Sequence, residues 1–295
     1  MNILTRISTL LALFLLVTSQ LLAQQGSVRE GLTFQSSILE KKVNYSIYLP
    51  PNYDDTNREY PVLYLLHGYT DNEDGWIQFG QVKKIVDRQH DNIDVSEMVI
   101  VMPDAGVSWY INSHDGDTRY EDFFVDEFIP GIDSTYRTRS SKEFRAVAGL
   151  SMGGYGTLIL ALKHHELFTA AAPLSAAVFL DEEIEEMDQE TWDGVFQIPF
   201  EEGLTGKQRF TDHYRQNSIL DIVENGNADS LNTVDYYIDC GDDDFLVKGN
   251  MALHSAMIDK EIEHEFRIRD GGHTWDYWRS ALPQVLTFVS QSFHR

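Results

Sequence analysis

The stretch RAVAGLSMGGYGTL, residues 145–158, decides how the rest of the chain is read. An apolar run ends at Leu150, a single serine stands between Gly149 and Gly153, and a helix-like pattern follows. In that pattern Tyr155, Leu158, Ile159 and Leu162 fall at offsets of three and four, giving one apolar stripe for a core. Gly-x-Ser-x-Gly between a strand and a helix is the signature of a nucleophile elbow: a sharp turn holds the serine in a strained backbone, and the glycines let strand and helix close up. A bare turn would need none of this setting, so Ser151 is read as a nucleophile.

Working outward from Ser151, short apolar runs alternate with helix-length stretches. The runs are PVLYLLHG (61–68), MVIVMPD (98–104), FRAVAGLS (144–151), AAAPLSA (170–176), VDYYIDCG (234–241) and EHEFRIRDGGH (263–273). The stretches 76–90, 120–136, 152–165, 245–260 and 275–293 are expected to be helical, with Pro283 causing a kink or a fresh helix start. Such alternation implies crossover connections and a mostly parallel sheet with helices on both faces, an α/β fold. Upstream, Val43, Tyr45, Ile47 and Leu49 alternate as in a half-buried strand, paired antiparallel with the segment before it. Residues 180–206 break the rhythm with an acidic run followed by Trp192, Phe196 and Phe200. This is an insertion over the carboxyl edge of the sheet, either a lid or a solvated excursion.

With 295 residues, 42% of them hydrophobic, the chain can bury one large core, so residues 24–295 are expected to form a single domain. Residues 1–23 carry Arg6, the apolar run Leu10 to Val17 and a small Ala23, the pattern of a cleaved signal peptide. The apolar run is too short for a permanent bilayer span of roughly 20 residues. A secreted or periplasmic protein is expected. The lone Cys240 excludes an internal disulfide and a multi-cysteine metal site, and reads as a small buried residue at a strand end. A formal charge of −24, from 47 acidic and 23 basic residues, disfavours nucleic acid and anionic membranes as partners and favours neutral substrates. Asp115, Asp117 and Glu121 lack calcium-loop spacing and read as a solvated loop and helix cap, so no metal is expected.

A serine hydroxyl attacks only when a base takes its proton, and the base needs an orienting carboxylate. In an elbow fold the chain order is serine, acid, histidine. Among ten histidines, His273 lies in a glycine-rich loop after a strand pattern and before the last helix, where the base belongs. The acid lies in GDDDFL after the strand VDYYIDC. Asp244, three residues past Gly241, has the usual spacing, and Asp243 is the second candidate. The developing oxyanion needs two backbone N–H donors, one after the nucleophile and one from an early strand end. Met152 and Tyr69 occupy those places, with His67 shaping the loop. Trp109 and Tyr110 follow another strand end and either line the acyl or leaving-group pocket or belong to the core.

LLHGYTDNEDGW, VMPDAGVSWYINS, YEDFFVDEFIPGID, GLSMGGYG, DCGDDDFL and GGHTWDYW occur in order and together resemble an esterase family of the α/β-hydrolase fold. That family includes esterase D (S-formylglutathione hydrolase), tributyrin, feruloyl and acetylxylan esterases, and mycolyltransferases. The resemblance covers nearly all of the mature chain. It implies Ser151 as nucleophile, His273 as base, Asp244 as acid, Tyr69 and Met152 at the oxyanion hole, and no cofactor. The expected activity is hydrolysis of acetyl or feruloyl esters of carbohydrate, or of short-chain esters, through an acyl-enzyme. The alternatives are acyl transfer to sugars, a thioesterase resembling S-formylglutathione hydrolase, and a non-catalytic carbohydrate- or protein-binding member.

Overall fold

The computed structural model describes residues 25–91 and 95–294; the segment read as a signal peptide lies outside them. Eight strands form one sheet: β1 (Ser27–Gln35), β2 (Lys42–Leu49), β3 (Val62–Leu66), β4 (Val99–Pro103), β5 (Arg145–Leu150), β6 (Ala170–Leu174), β7 (Asp235–Gly241) and β8 (Glu265–Arg269). Their order is β1-β2-β4-β3-β5-β6-β7-β8. β1 pairs antiparallel with β2, and β2 antiparallel with β4; every later pairing is parallel. This is the expected α/β-hydrolase architecture.

Strand periodicity divides the core between the two sheet faces. Leu63 and Leu65 of β3 face one cluster, while Val62, Tyr64 and Leu66 face the other. The first cluster is covered by α1 (Val82–Asp91) and the last helix, which brings Trp278, Ala281, Leu282, Val285 and Val289 to the sheet at helical spacing. Opposite lie α2 (Ile129–Thr135) and α3 (Met152–Lys163), with Phe124 and Phe128 packed edge-on against Tyr64. Each fully buried ring of this kind contributes roughly 1.5–3 kcal/mol. Between β6 and β7 the chain forms α4 (Asp181–Glu186), α5 (Gln189–Phe196), α6 (Asp212–Asn217) and α7 (Ile219–Asn225). α8 (Val247–Asp259) and α9 (Trp275–Ser292) complete the fold.

Several local expectations are corrected. The helix expected over 76–90 is interrupted at Gln81, whose φ of 53° no helix accommodates, leaving a single turn at Gly75–Gln78 and then α1. α9 runs unbroken through Pro283, so no fresh helix starts there. Glu121 is not a solvated cap: it is buried and accepts from Lys163 Nζ at 3.0 Å, with His164 Nε2 at 2.9 Å. Nor is 180–206 a solvated excursion, because Trp192, Phe196 and Phe200 are all buried. Cys240 lies buried near the end of β7, and burial pushes its thiol up to about 12.

Candidate active site

Ser151 sits between β5 and α3 at φ 56° and ψ −118°, a conformation that costs a non-glycine residue about 1–3 kcal/mol. The surroundings hold it there. Its N–H donates to the Leu174 carbonyl at 2.9 Å, and its own carbonyl accepts from Tyr155 at 3.0 Å and Ala177 at 3.1 Å. The flanking glycines are steric necessities: a Cβ on Gly149 would lie 2.5 Å from the Gly153 carbonyl oxygen, and one on Gly153 would lie 2.5 Å from that of His67.

Loops after β7 and β8 bring the other two groups to the serine. His273 Nε2 stands 2.9 Å from Ser151 Oγ, and its Nδ1 lies 2.9 and 3.1 Å from the two carboxylate oxygens of Asp244. Asp244, not Asp243, is therefore the carboxylate that meets the imidazole; Asp243 is exposed. Burial pushes the Asp244 carboxyl upward. The hydrogen bonds from His273 and from the Leu246 N–H, together with the imidazole's charge, outweigh burial and hold it below its ordinary range. An ionised Asp244 accepts a hydrogen bond from Nδ1–H, which leaves Nε2 free to accept from the serine hydroxyl. The array can thus raise the nucleophilicity of Ser151.

Trp278 supports the histidine edge-on, with ring centroids 4.9 Å apart, and its Nε1–H donates to Ser175 Oγ. Beneath them the fully buried Asp239 carboxylate accepts from the Arg269 guanidinium and from the Tyr237 and Tyr277 hydroxyls. Sequence spacing gave no sign of this buttress, because its members are scattered over β7, β8 and α9.

The β3 loop passes beside the serine: a Cβ on Gly68 would fall 3.6 Å from Ser151 Cβ. Met152 is the first residue of α3, so its N–H has no intrahelical acceptor. Among the described residues neither this N–H nor that of Tyr69 donates to a protein acceptor. His67 fixes the loop. Its Nε2 accepts from the Ala105 N–H at 2.8 Å, which puts its proton on Nδ1, 2.8 Å from the Gly68 carbonyl oxygen.

Trp109 and Tyr110 part company. Trp109 lines a narrow cavity of about 20 Å³ with Tyr155, Ala177, Phe179 and Phe196. Tyr110 does not line it: its ring is wholly buried and its hydroxyl donates to the His67 carbonyl at 3.0 Å, so it belongs to the core that carries the loop. The 180–206 segment docks on the same side. The Tyr69 hydroxyl donates to the Gly194 carbonyl at 2.8 Å and Trp109 Nε1–H to that of Val195 at 3.1 Å. Arg209, buried against the Trp192 ring, ties the segment internally by donating to the Ile184, Met187 and Leu204 carbonyls.

With this geometry in view, residues 36–289 match the model of the family described as "Putative esterase". The chain belongs to that esterase family. This esterase is a carboxylic ester hydrolase, in keeping with its relatives. It is 24% identical to an acetyl esterase of Caldicellulosiruptor saccharolyticus, over 88% of this chain and 97% of the relative. Over 55% of the chain it is 32% identical to an endo-1,4-beta-xylanase/feruloyl esterase of Xylanibacter ruminicola, covering 23% of that longer protein. Among solved structures a ferulic acid esterase matches with a TM-score of 0.78 and 34% identity, over 91% of this chain and 99% of the other.

Proposed function

We propose that this esterase is an exported serine hydrolase that removes acetyl or feruloyl groups from neutral carbohydrate. The observation that carries the serine mechanism is the unbroken line from Asp244 through His273 to Ser151 Oγ, with spacings of 2.9 Å on each side of the imidazole. In this reading Ser151 Oγ attacks the ester carbonyl as His273 Nε2 takes its proton. The Tyr69 and Met152 N–H groups receive the oxyanion, each donor lowering the barrier by roughly 3 kcal/mol. The tetrahedral intermediate collapses, the alcohol oxygen leaves with the proton from His273, and water repeats the sequence to free the acid. Trp109 borders the acyl group; the cavity behind it, at about 20 Å³, holds little more than one water.

The carbohydrate reading rests on the acyl esterase relatives and on a charge of −24, which repels anionic substrates. Export rests on the residue pattern of 1–23. The test is mass spectrometry of acids released from plant cell-wall polysaccharide by the wild type and by Ser151→Ala. Ferulate or acetate from the wild type alone is expected. Equal release by both proteins would overturn the serine assignment. Acylated sugar accumulating in place of free acid would overturn hydrolysis in favour of transfer.

A further inference from the structure

Phe245 follows Asp244 directly, yet its side chain is turned out: the residue is 68% exposed, the most exposed large apolar residue among those described. Its ring centroid lies 4.6 Å from that of His273 at an interplanar angle of 50°. An exposed ring standing directly beside the His273 imidazole is placed to meet whatever the reaction brings to that atom. The direction of the reaction identifies one. Whatever alcohol departs must take a proton from His273 Nε2, so its oxygen lies within hydrogen-bond reach of that atom. Little more than the imidazole then separates the departing oxygen from the Phe245 ring. In the hydrolysis reading above the acyl side lies at Trp109, on the flank docked by the 180–206 segment, and Phe245 does not line the cavity there.

We infer that Phe245 is the stacking platform for the sugar ring on the alcohol side of the ester. The inference rests on the hydrolysis reading above and names the part of the substrate that Phe245 recognises. The C–H face of a sugar ring suits an open aromatic ring, whereas a bare alkyl alcohol is too small to cover one. The exposed carboxylates of Asp242, Asp243 and Asp270 stand in the two loops that carry Phe245 and His273. They offer acceptors to sugar hydroxyls and repel an acidic sugar. The occupant is therefore a neutral sugar.

The experiment compares two esters of one acid, methyl ferulate and a feruloyl ester of a neutral pentose, on the wild type, Phe245→Ala and Phe245→Trp. Phe245→Ala is expected to raise KM for the sugar ester about tenfold and to leave methyl ferulate within about twofold, while Phe245→Trp restores the preference. Equal losses on both esters would overturn the inference and leave Phe245 a support for the imidazole. No loss on either would also overturn it. A wild type inert to both would remove feruloyl esters from the hydrolysis reading and leave acetyl esters. Calorimetry with an unesterified neutral pentose oligosaccharide would then still decide the platform: weaker binding to Phe245→Ala supports it, and equal binding refutes it.

Discussion

The two flanks of Ser151 are built on different principles. On the histidine flank, two short loops at the ends of β7 and β8 deliver Asp244 and His273, and the links from Asp244 through His273 to Ser151 are hydrogen bonds near 2.9 Å. On the other flank, a segment of the β6–β7 connection is laid over the sheet edge by packed aromatic rings. Trp109 meets Phe196 at 4.8 Å and Tyr155 at 5.3 Å, and among the described residues side-chain hydrogen bonds from Tyr69 and Trp109, with the His114 N–H to the Pro199 carbonyl at 3.2 Å, clasp it to the strand-end loops. A few polar atoms at fixed distances define the first flank, and a shape defines the second. Changes to the polar atoms of the first should act on rate whatever the ester, and changes on the second should act on which acyl group is accepted.

The sharpest way to break this contrast is at the carboxylate. Asp244→Asn is expected to lower kcat by about 10³ to 10⁴, because the amide cannot hold the Nδ1 tautomer, whereas the exposed Asp243→Asn should stay within about twofold. The sign of the accompanying stability change follows from the depressed Asp244 carboxyl. A group held below its unfolded pKa stabilises the fold above about pH 4, and that stability is lost as the pH falls through the folded pKa. Thermal melts of wild type and Asp244→Asn should therefore differ at neutral pH and converge in acid. Equal kcat for the two asparagine variants would contradict the assignment.

The flank covered by the 180–206 segment gives smaller effects of another kind. Trp109→Ala empties the centre of the aromatic cluster and is expected to cost about 3 kcal/mol of stability and to change the ratio of kcat/KM between acetyl and feruloyl esters. Tyr69→Phe keeps the backbone donor but removes the hydroxyl that holds Gly194, at about 1 kcal/mol. Burial keeps that phenol above its ordinary range, so it remains a donor at neutral pH. Tyr69→Phe should shift acyl preference without a comparable loss of kcat on the preferred ester. A uniform loss on every ester would merge the two flanks into one.

The same contrast explains what could be read from the chain alone. Six apolar runs at helix-length intervals specify a parallel sheet, and Gly149, Ser151 and Gly153 specify the elbow, because these signals are local. Three adjacent aspartates left Asp243 and Asp244 open, since their difference lies in the turn after Gly241 and not in residue type. The 180–206 segment was legible as an insertion over the sheet edge, but not what fastens it. Its clasp joins Tyr69 to Gly194 across 125 residues, and no local pattern distinguishes Trp109, at the cavity, from its core neighbour Tyr110. Glu121 misled for a similar reason: an acidic residue at a helix start reads as a cap until Lys163 and His164 are seen beside it.

The most direct test of the central claim is to trap the acyl-enzyme. The wild type is mixed with 4-nitrophenyl acetate, quenched in acid within milliseconds and digested, and the peptides are weighed. An acetyl adduct on the peptide containing Ser151, absent from His273→Ala, is the predicted result. Acetate released with no adduct, or an adduct on another residue at the same rate, would contradict it.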